Sequence, residues 1–67
     1  MTVTLKHVRN VYTLDLPEGA TIGEAMAAQA IADDEVGFAV IGGKAVRKDY
    51  VLKDGDDVML YPAIVGG

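Results

Sequence analysis

The sequence predicts an α+β fold in which one sheet packs against one helix. Three observations carry this expectation: paired segments of alternating apolar and polar residues, a helix-start signal at Thr21-Ile22-Gly23-Glu24 between the pairs, and a length of 67 residues. That length suits a single two-layer core. A chain of about 60 residues buries only about 60% of the surface its unfolded form exposes, so its local signals have to agree with one another.

Thr2 to Val8 alternates, with Val3 and Leu5 on one face and Thr2, Thr4 and Lys6 on the other, the period of a half-buried strand. Arg9-Asn10 breaks the pattern. Tyr12, Leu14 and Leu16 then alternate with Val11, Thr13 and Asp15, so the two runs form a hairpin that Pro17-Glu18-Gly19 ends. Thr21 opens a capping box: its hydroxyl accepts from the Glu24 amide, while the Glu24 carboxylate accepts from the Thr21 amide. The alanines that follow carry the helix to Gln29 or Ala30, with Ile22, Ala25, Met26 and Ala30 as its apolar stripe. Asp33-Asp34-Glu35 is an acidic break of the kind expected in a solvated loop.

Gly37 to Ile41 is the third strand, with Phe38 and Val40 opposite Ala39 and Ile41. Gly42-Gly43, placed before Lys44-Ala45-Val46, asks for two successive positive φ angles in a tight hairpin turn. It lacks the spacing of a phosphate-cradling loop. Asp54-Gly55-Asp56 is a second turn signal, and Val58 to Tyr61 is the last strand, with Val58 and Leu60 on one face and Met59 and Tyr61 on the other. The order is ββαββ, with room for one short extra strand. A helix crossing from the first hairpin to the second lets the first and last strands lie parallel at the sheet centre. That arrangement is a β-grasp, with residues 1–67 as one domain and a free tail, residues 62–67, leaving a central strand.

Composition narrows the chemistry. Without cysteine, disulfides, thiolate metal sites, iron–sulfur clusters and a cysteine nucleophile are all excluded. The single histidine, His7, reads as a half-exposed strand residue and cannot build a zinc site or a catalytic triad unaided. Asp33-Asp34 and Asp56-Asp57 are neighbours in turns without basic companions, so no catalytic residue and no metal site is expected. The net charge of −4 argues against binding a phosphate backbone and favours partners with basic surfaces. The uncharged stretch Ala25 to Ala32 is far too short to span a bilayer, and the first residues start a strand pattern rather than a leader, so the expected location is the cytoplasm.

The remaining candidate is the end of the sequence. Gly66-Gly67 carries no side chains, so such a tail enters a channel too narrow for any other dipeptide and presents the Gly67 carboxylate to an enzyme. Ile64 and Val65 serve as the specificity handle, and Pro62 stiffens the root. A carboxylate reacts with sulfide or an amine only after activation as a mixed anhydride, which implies an ATP-dependent adenylating partner. Met59 and Tyr61, on the face away from the helix, offer that partner an apolar docking patch.

The segments "TIGEAM", "VIGGKAV" and above all "LKDGDDVMLYPAIVGG" resemble the ThiS/MoaD family of ubiquitin-like sulfur carriers over the whole chain. Gly42 stands where that family commonly has asparagine, a change the same turn tolerates. The resemblance implies a carrier that binds no cofactor of its own. A ThiF/MoeB-like enzyme uses ATP and magnesium to adenylate Gly67, and a persulfide sulfur donor displaces AMP to leave a thiocarboxylate. The sulfur then passes to thiazole synthase or to the large subunit of molybdopterin synthase. The short chain is more like the thiamine carriers, whereas Tyr61-Pro62 resembles the aromatic-proline pair of molybdopterin synthase small subunits. Two alternatives remain: a protein modifier joined to lysines through Gly67, and a β-grasp binding module that transfers nothing.

Overall fold

The alternating segments close into one mixed sheet in the computed structural model, which describes residues 1–62. The strands are β1 (Thr2–His7), β2 (Asn10–Asp15), β3 (Val36–Ile41), β4 (Lys44–Val46) and β5 (Asp57–Pro62), and the helix α1 is Ile22–Ala28. Their order in the sheet is β2-β1-β5-β3-β4. β1 and β5 pair in parallel, while β1–β2, β3–β4 and β3–β5 are antiparallel. The fold is the β-grasp the sequence predicts, with the short extra strand realised as β4 and β5 at the centre. The tail positions Ala63 to Gly67 lie outside the described residues.

The core follows from strand period. Val3 and Leu5 of β1, Leu14 of β2, Ala39 of β3, and Val58 and Leu60 of β5 are buried against Ile22, Ala25 and Met26 of α1. Burying each large apolar side chain contributes about 1.5–3 kcal/mol. Among the described residues no polar or charged side chain is buried.

The capping box forms as predicted, with Thr21 Oγ1 accepting from the Glu24 amide at 3.2 Å and Glu24 Oε1 accepting from the Thr21 amide at 3.1 Å. Two further orphan amides of the helix start, Ile22 and Gly23, donate to the carbonyls of Tyr50 and Lys48 at 3.1 and 2.8 Å. The segment before β5 thus clamps the helix.

The far end of α1 differs from the expectation. The helix stops at Ala28, and Ala30 is exposed at φ +57°, outside the apolar stripe. The amides of Ala30 and Ile31 donate to the carbonyls of Ala27 and Met26, each at 3.0 Å, which is a Schellman closure with alanine where glycine is usual. The reversal at Ala30 returns Ile31 to the core beside Met26. Burial of an isoleucine outweighs the backbone preference of one alanine.

Two other details depart from simple patterning. Asp33–Glu35 forms a turn of 3-10 helix rather than a loop, because Lys48 Nζ donates to the Asp33 carbonyl at 2.7 Å and pairs with its carboxylate at 3.0 Å. The first hairpin turns at Val8-Arg9 rather than Arg9-Asn10, with His7 opposite Asn10 and Val8 at φ +57°. Gly42 and Gly43 turn the second hairpin at φ +58° and +82°, as their pairing predicts.

Candidate functional site

The face of the sheet turned away from α1 has no element covering it among the described residues. Strand register builds it row by row. Val11, Lys6, Met59, Val40 and Ala45 are successive Cα partners across β2, β1, β5, β3 and β4. Lys6, the cation within this row, pairs with Asp57 at 3.4 Å, so charge is locally balanced there. The next row carries Tyr61 opposite Phe38. Met59 and Tyr61 are thus placed on the open face, 42% and 38% exposed, and Phe38 joins them at 45%.

Phe38 reaches this face by ordinary alternation with Ala39, and a break in strand period lies just beyond it. The register of β3 against β5 shifts between Val36 and Phe38, so that two steps of β3 match the single step from Pro62 to Tyr61. This is a β-bulge at Gly37. In an uninterrupted strand Val36 and Phe38 would share a face. The bulge instead turns Val36 into the core that Ala39 already faces, while Phe38 stays outside. There its ring stacks on Tyr61, with centroids 4.9 Å apart and planes 11° off parallel. Phe38 is a site residue that the sequence pattern does not join to Tyr61: parity sets it on the face opposite Ala39, and the pairing of β3 with β5 brings it against Tyr61.

The end of β5 lies at the border of this patch. Pairing of β1 with β5 ends at His7 opposite Leu60, whereas β3 continues alongside through Phe38–Tyr61 and Val36–Pro62. Because β1 and β5 run parallel, the Val8-Arg9 turn comes beside the end of β5. His7, at the end of β1, is half-buried. The remaining predicted site residues, Ile64, Val65, Gly66 and Gly67, lie outside the described residues, directly after Pro62 in sequence.

Among the described residues there is no cluster of three or more potential metal-ligating side chains and no helix long and apolar enough to cross a membrane.

A family model described as Mut7-C ubiquitin matches residues 3–65. None of the curated proteins matches the sequence. Among solved structures, SAMP1 from Haloferax volcanii is similar, with a TM-score of 0.74 at 19% identity, covering 100% of both chains. Caldiarchaeum subterraneum ubiquitin gives 0.69 at 20% identity, covering 100% of this chain and 98% of that one. A putative molybdopterin converting factor subunit 1 from Pyrococcus furiosus gives 0.70 at 21% identity, covering 94% and 98%. At these identities the likeness is one of fold, and that fold is the ubiquitin-like β-grasp, with a MoaD-like protein among the neighbours.

Proposed function

The chain belongs to the Mut7-C ubiquitin family, and from that premise we propose that it is a sulfur carrier that bears a thiocarboxylate on Gly67. The observation that carries this reading is the position of β5. As the middle strand of five, it roots the following residues in the sheet rather than at a frayed edge. An apolar face borders that root, which suits a partner that must hold the carrier while acting on its tail.

In this reading Gly67 is the reacting group. Its carboxylate attacks the α-phosphorus of ATP on a ThiF/MoeB-like enzyme, pyrophosphate leaves, and magnesium bound by that enzyme offsets the phosphate charge. The terminal sulfur of a persulfide then displaces AMP, and a thiol reduces the acyl disulfide to release the thiocarboxylate. Gly66 admits the tail to a narrow channel, and Ile64 and Val65 give the channel something to select. Met59 and Tyr61 dock the partner. The acceptor is thiazole synthase or the large subunit of molybdopterin synthase, in the cytoplasm. The carrier supplies no catalytic side chain and holds no cofactor.

A second reading shares the first step. One structural neighbour is a ubiquitin, and an acyl-adenylate is open to a lysine amine as well as to sulfur, so conjugation through Gly67 is the competing outcome.

Pyrophosphate exchange into ATP tests the shared step. A cognate adenylating enzyme should catalyse exchange only when the carrier is added, and removal of Gly67 should abolish it. Exchange that is independent of Gly67 contradicts the reading. A mature chain ending at Gly67 is what the reading requires, and intact mass is the check.

A further inference from the structure

We infer that Val8 is a contact residue for the enzyme that acts on the tail, held in an unfavourable backbone conformation so that its side chain meets that enzyme. The inference rests on the sulfur-carrier reading and adds to it a residue and a surface that the reading does not include.

The conformation is the first observation. Val8 sits at φ +57°, where a β-branched side chain is a steric outlier. A two-residue hairpin turn ordinarily has glycine, asparagine or aspartate at such a position. The other hairpin of this sheet follows that rule with Gly42-Gly43. Among the described residues burial does not account for valine at position 8, which is 72% exposed and lies outside the core cluster.

Placement is the second observation. β1 runs parallel to β5 with His7 opposite Leu60, so the next residue, Val8, lies beside the end of β5. Val11, 64% exposed, lies in the row that holds Met59, with Lys6 between them. Val8 therefore extends the patch of Phe38, Met59 and Tyr61 around the tail root.

In the sulfur-carrier reading the occupant is the enzyme that receives Gly67, and chain length sets how near it must come. Five residues follow Pro62, and fully extended they reach at most about 18 Å. An enzyme whose reaction centre receives Gly67 must bring its surface against the residues bordering the end of β5. An apolar side chain at that rim is covered by this enzyme whenever the tail is engaged. The acidic balance of the chain, six Lys and Arg against ten Asp and Glu, fits a partner with basic residues around an apolar centre.

Ala30 supplies an internal control. It is the other non-glycine residue with positive φ among the described residues, also at +57°, and it follows the helix on the layer opposite the open face. Relieving strain at either position should stabilise the fold, but only position 8 should affect the partner.

The test uses the full chain with its cognate adenylating enzyme, ATP and labelled pyrophosphate, alongside urea unfolding. Val8→Asn should raise the urea midpoint and also raise the KM for the carrier about tenfold with kcat unchanged, as loss of a docking contact does. Val8→Leu should recover most of that loss. Ala30→Gly should raise the midpoint with KM unaffected. If Val8→Asn behaves like Ala30→Gly, more stable and equally well used, this inference is overturned while the carrier reading stands. If the wild-type chain supports no exchange with a competent enzyme, both are overturned.

Discussion

Phe38 and Tyr61 stack at 4.9 Å on the open face of the sheet, set opposite each other by the last regular pair of β3 and β5 before the bulge at Gly37. Tyr61 stands one residue before the end of β5. The stack therefore joins the face of the sheet to the root of the tail. Replacing Phe38 with alanine should cost the fold the stacking contribution, about 0.5–1.5 kcal/mol, together with the burial of the covered part of its ring. Its larger effect should be a raised KM for the carrier in pyrophosphate exchange, because the ring that borders Tyr61 is gone. Equal KM for Phe38→Ala and wild type would argue that the stack is structural only.

Ala30→Gly should stabilise the protein. Alanine in the left-handed region costs about 1–2 kcal/mol, and glycine, usual at this position of a Schellman closure, gives part of that back through a more flexible unfolded chain. A net gain of roughly 0.5–1 kcal/mol in urea unfolding is expected. No gain would mean that the Ala30 conformation is relaxed.

Thr21→Ala removes the acceptor for the Glu24 amide and half of the reciprocal cap. A loss of about 1 kcal/mol is expected, read as a lower urea midpoint with an unchanged slope. In a helix of seven residues the cap is a large share of the local stability. A loss well below half of that value would show that the clamp from Lys48 and Tyr50 holds the helix start alone.

Leu5→Ala tests the parallel pair at the sheet centre. Leu5 is fully buried and faces the core opposite Val58. Truncation of a buried leucine costs about 2–5 kcal/mol, comparable with the whole stability of a small domain at about 5 kcal/mol. Loss of a cooperative thermal transition is the expected result. A transition little changed would place the centre of the core elsewhere.

Most of the fold was legible because its local signals are periodic and mutually consistent. Val3 and Leu5, Val58 and Leu60, the Thr21 box and the Gly42-Gly43 turn each declare themselves in a few residues. What escaped was each place where a distant interaction overrides the local rule. The bulge at Gly37 breaks the two-residue period so that Val36 and Ala39 are both buried. Ala30 reverses the chain because Ile31 has core to fill. The Asp33–Glu35 turn is fastened by Lys48, fifteen residues away. Val8 occupies a turn position that carries no turn residue, so the sequence pattern sets the turn one residue late. Within the candidate site, strand parity sets Met59 and Tyr61 on the open face and Phe38 opposite Ala39, while the meeting of Phe38 with Tyr61 and of Val8 with the end of β5 follows only from the three-dimensional register.

The central claim, that Gly67 carries sulfur, is tested most directly by intact-mass measurement of the full chain after incubation with its adenylating enzyme, ATP and a persulfide donor. The account predicts a mass increase equal to the exchange of one oxygen for one sulfur, lost when Gly67 is removed and reversed when a sulfur acceptor is added. An unchanged mass with an enzyme shown to be competent would contradict it, as would an adduct on a lysine of another protein in place of the exchange.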